Sequence, residues 1–211
     1  QPVHNQVSPL WQLVDLSKAF PGVQALDKVS LSIERGQIHA LLGENGSGKT
    51  TLAKCLAGAH HPDAGQMLLE GAPVTLEHPL DAVAHGVATI YQEFSLVPSL
   101  TVAENIFLGR PLKNRAGLVD WEQMRRKTTS TLQELAIQID PDAVVRQLSV
   151  AEQQLIEIAK AMSLESSLLI MDEPTAALGL AETRRLHELI RRLAAQGKAI
   201  LYISHRLDEV F

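Results

Sequence analysis

The sequence has 211 residues, of which 45% are hydrophobic and 20% are charged, and it carries a formal net charge of −5 at pH 7. This length suits one α/β domain with its own core and is short for two, while the composition excludes a disordered chain. Acidic and basic residues are interspersed without long runs, so no basic stripe indicates nucleic acid as a partner.

The N-terminal region is predicted to be a short flexible segment followed by an antiparallel sheet. Residues 1–9 lack the positive flank and apolar core of a secretory signal, and no later run reaches the roughly 18 to 20 apolar residues that cross a bilayer. Over residues 10–34, short strand-like stretches surround a turn at Pro21 and Gly22. We therefore predict a flexible segment over 1–9 and one domain over 10–211, and we expect any membrane role to depend on a partner.

A glycine-rich loop lies between a predicted strand and a predicted helix. The apolar run QIHALL leads into GENGSGKT, residues 43–50, which fits the pattern GxxxxGK[ST]. Glycines let the backbone curl so that amide N–H groups point inward, and the positive end of the helix completes a nest for β- and γ-phosphates. Lys49 adds a positive charge, and the Thr50 hydroxyl suits Mg²⁺. The alternative, a glycine turn with a surface lysine, leaves this context unexplained.

The helix after this loop is predicted to bury one face. Leu52, Leu56 and Ala59 share that face. Cys55 is the single cysteine, so it cannot form an internal disulfide. We expect it to be a small core residue rather than a reactive thiol.

The middle of the chain, about residues 94–164, is predicted to be mainly helical. Thr101 with Glu104, and Ser149 with Glu152, form two possible capping boxes that fix two helix starts. In the second helix the residues predicted to face the core are Leu155, Ile158, Ala159 and Met162. The start of that helix is therefore predicted to be available for a ligand.

Polar residues follow three strand-like runs, at the end of a sheet where α/β proteins bind ligands. LLIMDEP at residues 168–174 contains Asp172, predicted to hold the Mg²⁺ shell, and Glu173, predicted to act as a general base on the attacking water. His205 directly follows AILYIS, where it can reach a γ-phosphate, and Gln92 follows GVATIY, where its amide can bind water at a metal site. The simpler alternatives are a helix-capping acidic pair and a structural histidine.

A further helix is predicted between the strands SLLIMD and AILYIS. Its apolar stripe consists of Leu186, Leu189, Ile190 and Leu193, and it is predicted to end at Gly197. The order strand, helix, strand implies a parallel sheet.

Together, these motifs and their order resemble the ATP-binding cassette ATPases over nearly the whole chain. The resemblance implies an α/β fold, with a P-loop NTPase core on a parallel sheet, an N-terminal antiparallel β subdomain and an inserted helical subdomain. It makes residues 43–50 the Walker A loop, LSVAEQQ at 148–154 the signature and LLIMDEP the Walker B strand. ATP and Mg²⁺ are the ligands it implies, and ATP hydrolysis is the activity.

The resemblance also implies roles for single residues. Phe20 matches the position whose ring stacks on adenine, although an aromatic that only anchors the turn is the alternative. The other implied nucleotide contacts are Gly43, Glu44, Asn45, Gly46, Ser47, Gly48, Lys49, Thr50, Thr51 and Ser149. The implied catalytic residues are Lys49, Gln92, Glu173 and His205, with Thr50, Gln92 and Asp172 around the metal.

In that family, the signature helix of one cassette covers the γ-phosphate held by the Walker A loop of another. Ser149 and the amides beside it are therefore expected to serve a second nucleotide-binding domain. A monomer is expected to be incomplete, and hydrolysis to require pairing.

A closer resemblance is to the sugar-importer ATPases of the ribose, galactose and xylose type, with the autoinducer-2 importer branch sharing the same features. It is carried by stretches such as FPGVQALDKVS, IYQEFSLVPSLTVAENIFLGR and YISHRLDEVF. These subunits usually carry two cassettes in one polypeptide, and this chain resembles the first, ending early. The implied partners are transmembrane permease subunits and, indirectly, a periplasmic solute-binding protein, at the cytoplasmic face of the inner membrane. Residues 92–98 and the helices to about Gly109 are expected to transmit motion to the permease.

Two departures from the family pattern bear on activity. The usual LSGGQ has Val150 and Ala151 in place of its glycines, and Gly179 replaces the aspartate expected after the Walker B strand. Side chains at the first two positions hinder close approach of the amides to phosphate, so the γ-phosphate site built with this signature is predicted to be weaker.

Three other functions use some of the same chemistry. A soluble cassette ATPase of DNA repair or translation is one, but the chain lacks the long coiled coil, zinc-binding cysteines or basic arm expected of it. A small-molecule kinase sharing only the glycine loop is another, against which the signature and His205 argue. A regulatory module that holds ATP with little turnover is the third, although Glu173 favours hydrolysis.

Overall fold

The computed structural model describes residues 9–206 of the chain. The predicted flexible segment over 1–9 therefore lies outside the described residues except for Pro9, and so does the end of the YISHRLDEVF stretch after Arg206. The described chain forms two four-stranded sheets with six α-helices and one 3₁₀ turn, Val145–Gln147.

The first sheet is antiparallel and contains four strands. They are β1 Trp11–Phe20, β2 Val23–Ile33, β4 Ala64–Leu69 and β5 Ala72–Val74, in the spatial order β2-β1-β4-β5. The turn between β1 and β2 contains Gly22, whose φ of 81° favours glycine. The antiparallel sheet predicted over residues 10–34 is confirmed, and the structure adds two strands from residues 64–74 that the sequence pattern did not indicate.

The second sheet is parallel, as the order of elements predicted. It contains β3 Ile38–Leu42, β6 Val87–Ile90, β7 Leu168–Asp172 and β8 Ala199–Ser204, in the order β3-β8-β7-β6. Every residue of β7 and β8 is buried, as expected for parallel strands covered on both faces. All four strands therefore end at the same edge, where their following loops lie side by side.

The helices are α1 Lys49–Leu56, α2 Pro79–Ala84, α3 Val102–Ile106, α4 Trp121–Glu134, α5 Val150–Met162 and α6 Leu180–Ala195. Both predicted capping boxes are present, at Thr101 and at Ser149. The four residues of the predicted stripe on α6 are all buried. The sequence pattern did not indicate helix α2.

One prediction for the buried helix faces is wrong, and another is confirmed but incomplete. The helix α1 ends at Leu56, and Gly58 turns the chain with a φ of 67°, so Ala59 is exposed rather than part of the buried face. On α5, Ile158 and Ala159 are fully buried and Leu155 and Met162 pack partly buried against the same core, as predicted, while Ile156 is a fully buried residue that the pattern did not indicate. The early end of α1 removes Ala59 from the buried face, whereas on α5 the buried face is one residue wider than predicted.

Two apolar cores lie on opposite faces of the parallel sheet. Alternate strand residues supply them: Leu169 and Met171 pack with the cluster that contains α5 and α6, while Leu168 and Ile170 pack with the cluster that contains α1 and the antiparallel sheet. Cys55 is fully buried in the second cluster, as predicted, and burial raises the pKa of its thiol to about 11. Helix α1 and the loop before it thus rest on a packed core.

Candidate functional site

An open cleft lies at the edge where the parallel strands end. Its volume is about 550 Å³, and its lining residues are Phe20, Val23, Ala25, Asn45, Gly46, Gly48, Lys49, Thr50, Thr51, Gln92 and Glu173. The cleft therefore brings together residues from the antiparallel sheet, the loop before α1, and the ends of β6 and β7. Most of the residues predicted to contact a nucleotide lie along it.

The glycine loop, residues 43–50, owes its path to two glycines. Gly46 and Gly48 have φ angles of 84° and 90°, which L-amino acids rarely adopt. A Cβ atom on Gly48 would lie 2.3 Å from the backbone carbonyl oxygen of Ala25, whereas none of the surrounding atoms lies within 4 Å at Gly46. The loop thus packs closely against β2 at Gly48 and is open at Gly46.

Helix α1 begins at Lys49, so the last two residues of this loop belong to its first turn, which faces the cleft. Its earliest backbone bond runs from the Leu52 N–H to the Gly48 carbonyl at 2.9 Å. The amides of Lys49, Thr50 and Thr51 precede that bond, and such amides have no partner within a helix. Together with the positive end of the helix, they can bind an anionic phosphate.

The Lys49 ammonium lies inside the loop. It donates to the carbonyl oxygens of Gly43 and Glu44, both at 2.7 Å, and to the Ser47 hydroxyl at 3.3 Å. Only 8% of the residue is exposed. A phosphate oxygen in the loop can take over these hydrogen bonds, because the ammonium group has three donors and a flexible stem.

Asp172 and Thr50 meet at the base of the cleft, where the Thr50 side chain hydrogen-bonds the carboxyl group. Burial raises the pKa of Asp172, and this hydrogen bond with the charges of Lys49 and Lys54 partly opposes the shift. Oxygen donors of this kind suit Mg²⁺. Among residues 9–206 no cluster of three or more histidine, cysteine or acidic side chains could hold a metal ion. A metal at Asp172 would therefore depend on phosphate and water oxygens for most of its ligands, which is usual for Mg²⁺.

Glu173 and His205 form a hydrogen-bonded pair at the ends of β7 and β8. The Glu173 Oε1 atom lies 2.8 Å from the His205 Nδ1 atom, with 16% and 44% of the two side chains exposed. Glu173 has a φ of 50°, and its N–H donates to the Ile203 carbonyl at 3.0 Å. The backbone thus holds the carboxylate at the rim of the cleft, where it can accept a proton from water.

Gln92 and Phe20 both line the cleft. Gln92 is exposed and follows the last residue of β6 by two positions. The Phe20 ring is 38% exposed and packs edge-on against His60, with 5.4 Å between ring centroids. Part of the ring therefore remains exposed in the cleft, where a second ring can stack on it.

Sequence reasoning missed two residues of the cleft, Val23 and Ala25. Val23 is 61% exposed and pairs with Phe20 across the hairpin. The turn at Gly22 was visible in the sequence, so the pairing of Phe20 with an apolar residue just after the turn could have indicated the second half of this platform.

The structure does not bring Ser149 to the cleft. It lies at the start of α5 and lines a separate pocket of about 250 Å³ together with residues such as Leu178 and Arg185. Its hydroxyl donates to the Glu152 carboxylate at 2.8 Å and accepts from the Glu152 N–H at 3.2 Å. Its own N–H also donates to that carboxylate, at 2.8 Å. The polar groups of this residue are thus satisfied within the helix start itself.

The residues that depart from the family pattern lie near this second pocket. Val150 is 42% exposed at the start of α5. Gly179 caps α6, and its N–H donates to the Glu182 carboxylate at 2.6 Å. A side chain at Gly179 would need only this flexible carboxylate to shift, because a Cβ atom there meets Glu182 Oε2 at 2.8 Å and none of the backbone atoms.

No helix within residues 9–206 combines the length and the apolar character needed to span a membrane.

Comparisons with known proteins agree with the geometry of the cleft. The profile of the family described as ABC transporter matches residues 26–176. A putative ribose/galactose/methyl galactoside import ATP-binding protein of Ralstonia nicotianae is 54% identical over 196 residues, which cover 93% of this chain and 38% of that protein. A ribose import ATP-binding protein of Streptomyces avermitilis is 50% identical over 204 residues, covering 97% of this chain and 40% of that protein. The chain thus spans about two fifths of the length of these relatives.

Solved structures with the same fold include an ATP-binding cassette of an ABC transporter in its ADP conformation. The TM-score is 0.84 at 27% identity, and the match covers 95% of this chain and 83% of that one. A nucleotide-free cassette gives a TM-score of 0.84 at 26% identity, with the same coverage of both chains. The predicted fold class, a P-loop NTPase core with a parallel and an antiparallel sheet, is confirmed.

Proposed function

This chain belongs to the ABC transporter family, and on that premise we propose that it binds and hydrolyses ATP to power the import of a sugar or sugar-like solute. The observation that carries the proposal is the convergence on one cleft of the glycine loop, the Asp172–Thr50 contact and the Glu173–His205 pair. Phosphate binding, metal binding and proton transfer are each supported by a separate group of residues.

Binding of ATP is assigned to the glycine loop and the hairpin beside it. The amides of the loop and the first turn of α1 hold the β- and γ-phosphates, with Lys49 as the counter-charge. The adenine ring stacks on Phe20, whose partial exposure in the cleft and edge-on contact with His60 suit a flat ligand. Asn45, Gly46 and Thr51 lie along the path between these two ends.

Thr50 and Asp172 would hold Mg²⁺ through their side-chain oxygens, and the Gln92 amide would bind water at the same site. When bound there, the ion supplies neutralisation of the phosphate charge. The donor chemistry of these residues fits such a hard cation, since it consists of one hydroxyl, one carboxylate and one amide oxygen.

Hydrolysis is assigned to Glu173 acting on a water molecule. The carboxylate orients the water and takes its proton as the water oxygen bonds to the γ-phosphorus, and ADP leaves with the electrons of the broken bond. His205 holds the Glu173 carboxylate through the 2.8 Å contact and can turn toward the γ-phosphate. General base catalysis of this kind contributes typically about 10²- to 10⁴-fold to a rate.

A complete site is proposed to require a second cassette. Ser149 lies outside the cleft of its own chain, and the amides of Val150 and Ala151 beside it point from an exposed helix start. These groups are therefore proposed to cover the γ-phosphate of another nucleotide-binding domain. The domain over 10–211, with an inserted helical subdomain at about 94–164, would be one of the two halves.

The partners follow from the relatives rather than from the cleft. Two relatives named as sugar import ATP-binding proteins are at least 50% identical to this chain, although it spans only 38% and 40% of their length. We therefore assign this chain to a complex with transmembrane permease subunits at the cytoplasmic face of the inner membrane, with a periplasmic solute-binding protein acting on the permease.

One observation favours a second candidate function, a regulatory cassette with little turnover. The Ser149 hydroxyl and amide are both bound to Glu152, and Val150 and Ala151 stand in place of glycines. These features weaken the site to which α5 contributes, which belongs to the other cassette. They leave the Glu173 site of this chain unchanged, so hydrolysis there is the primary proposal.

The test is steady-state Mg²⁺-ATPase activity of the full-length polypeptide assembled with its membrane partners. Glu173→Gln is expected to keep ATP binding and to lose roughly 100-fold or more in kcat, since its amide cannot accept a proton at neutral pH. Lys49→Ala is expected to lose binding as well. Lys127→Ala, an exposed lysine on α4, is the matched control for loss of a positive charge. Wild-type turnover in Glu173→Gln would leave the regulatory function as the better description.

A further inference from the structure

Residues 92–98, here the Gln92 segment, connect β6 to the helical part of the chain and are fixed there at several points. The Asn105 side chain, fully buried on α3, accepts from the Val97 N–H at 2.7 Å and donates to the Val97 carbonyl at 3.0 Å. The Pro98 carbonyl accepts from the Arg146 N–H at 2.9 Å. These contacts hold the far end of the segment to α3 and to the turn before α5.

The end of the segment that is nearer to Gln92 is held by a buried carboxylate. Glu157 lies on α5 with only 5% of the residue exposed. Its two oxygens accept from the Ser95 N–H at 2.5 Å and from the Ser95 hydroxyl at 3.1 Å. Lys160, one turn later on α5, donates to the same hydroxyl at 2.9 Å. Both of these helix residues therefore contact the segment at one position, 62 and 65 residues away in the chain.

A carboxylate at this position is costly for packing alone. Ile156 and Ile158, its neighbours on α5, are fully buried, and no lysine, arginine or histidine of residues 9–206 forms a salt bridge with Glu157. Removing a charge from water is unfavourable unless hydrogen bonds replace the lost hydration. Here the hydrogen bonds come from the Gln92 segment, so the charge ties α5 to that segment.

The hydrogen bonds between Glu157 and Ser95 limit how far Gln92 can move relative to α5. Ser95 follows Gln92 by three positions, and three extended residues span at most roughly 10 Å. Ser149 starts the same helix eight positions before Glu157, about 12 Å along its axis. The contact thus joins a residue of the cleft to the helix whose start lies outside the cleft.

We propose that Glu157 is a positioning residue that couples Gln92 to helix α5, so that the Gln92 segment and the start of α5 move as one body. The inference rests on the proposed function, in which Gln92 serves the ATP of this chain and Ser149 serves that of the other cassette. The Glu157–Ser95 contact then links the two ATP sites mechanically, because Gln92 belongs to the site of this chain and Ser149 belongs to the site of the other cassette.

A double-mutant cycle tests this coupling. The steady-state kcat and KM for Mg-ATP are measured in the full-length polypeptide with its membrane partners, for wild type, Glu157→Ala, Gln92→Ala and the double variant. Glu157→Ala is expected to lower kcat roughly tenfold, as expected for the loss of hydrogen bonds to a buried charged group, with KM within about twofold because the glycine loop and Phe20 are untouched. In the Gln92→Ala background it is expected to lower kcat no further.

A merely structural role predicts a different pattern. If Glu157 only supports packing, its effect on kcat adds to that of Gln92→Ala, and this additivity overturns the proposal. An unchanged kcat in Glu157→Ala overturns it as well. Glu157→Gln is expected to retain most of the activity, because its amide oxygen can accept the Ser95 N–H and its NH₂ group can donate to the hydroxyl.

Two controls keep the outcome interpretable. Glu122→Ala removes an exposed carboxylate that pairs with Arg126 on α4, and it is expected to leave kcat unchanged. If Glu157→Ala does not fold, the cycle is run with Ser95→Ala, which removes only the hydroxyl contacts and is expected to lower kcat roughly threefold. Loss of turnover in Glu173→Gln with no effect of Glu157→Ala or Ser95→Ala would leave the proposed function standing and overturn the coupling alone.

Discussion

Two helices of this chain begin where a phosphate is expected, and their starts differ. At the start of α1 the backbone amides face an open cleft, and Lys49 fills the glycine loop through carbonyl contacts that a phosphate can replace. At the start of α5 the Ser149 hydroxyl and amide are both bound to the Glu152 carboxylate of the same turn. The amides at the start of α1 can therefore accept an incoming anion. At the start of α5, the Ser149 amide and hydroxyl already bind the Glu152 carboxylate.

This difference indicates which part of a nucleotide site shared by two cassettes each helix start supplies. An anion entering the glycine loop displaces only the contacts of a flexible lysine. An anion at Ser149 has to compete with a carboxylate that already accepts two hydrogen bonds from the helix start, one from the Ser149 N–H and one from the Ser149 hydroxyl. We therefore expect the α1 site to bind ATP within one chain, and the α5 start to contribute only when a second cassette already presents a bound phosphate.

The largest expected effect comes from the glycine that shapes the first start. Gly48→Ala places a methyl group 2.3 Å from the Ala25 carbonyl oxygen and strains a residue with a φ of 90°. The loop has to shift, and each lost hydrogen bond from a loop amide to a charged phosphate costs about 1.5–3 kcal/mol. We expect Mg-ATP affinity, measured by calorimetric titration, to fall roughly 100-fold.

Gly46→Ala is the matched control, because its φ is also positive but its position has open space. This variant has the strain of an alanine at positive φ but no contact between its methyl group and a neighbouring backbone atom. We therefore expect it to bind ATP more tightly than the Gly48→Ala variant does. Equal losses in the two variants would mean that contact with β2 does not set the loop's shape.

A smaller effect is expected at the adenine end of the cleft. Phe20→Ala removes the exposed ring that packs against His60, and stacking between a base and an aromatic side chain is worth about 1–3 kcal/mol. We expect roughly tenfold weaker ATP binding, with inorganic triphosphate bound as well as by wild type. If triphosphate binding falls equally, Phe20 supports the hairpin rather than the base.

The smallest expected effect concerns the stability of the second start. The hydrogen bonds from the Ser149 backbone and hydroxyl hold the pKa of Glu152 below its usual range. A lowered pKa in the folded state means that the stabilisation is present above the ordinary pKa of about 4.5 and is lost as pH falls through the folded value. Glu152→Gln is therefore expected to lower the free energy of unfolding by about 1 kcal/mol at pH 7 and by less near pH 3.

Urea unfolding at the two pH values checks this expectation. Glu122→Gln, which alters an exposed carboxylate on another helix, is the control. A deficit in Glu152→Gln that is the same at both pH values would show that the ionised capping box does not hold Ser149.

Many features of the two helix starts could be predicted from the sequence, because the patterns that indicate them are local. The glycine loop and both capping boxes are patterns within eight residues or fewer, and buried parallel strands read as apolar runs. The polar residues at the strand ends follow from the same runs. The strand-end and loop positions of Lys49, Thr50, Asp172 and Glu173 could therefore be predicted, while their roles in binding and hydrolysis stay predictions.

The remaining features depend on contacts distant in sequence. The pairing of β1 with β4 and the Glu157–Ser95 hydrogen bonds join residues tens of positions apart, and no local pattern indicates them. The full burial of Ile156, beside the partly buried Leu155, arises because the packing of α5 in the core sets its rotation. The capture of the Ser149 hydroxyl by Glu152 was implied by the capping box, but its consequence for phosphate binding was not drawn from the sequence.

The most direct test of the central claim is a titration of the purified monomeric chain with Mg-ATP, comparing wild type with Lys49→Ala and Ser149→Ala. Thermal unfolding without nucleotide confirms that each variant is folded. We predict that wild type and Ser149→Ala bind ATP with the same affinity and that Lys49→Ala does not bind measurably. Weakening by Ser149→Ala comparable to that by Lys49→Ala, or no binding by wild type, would contradict a site that is complete for ATP binding within one chain.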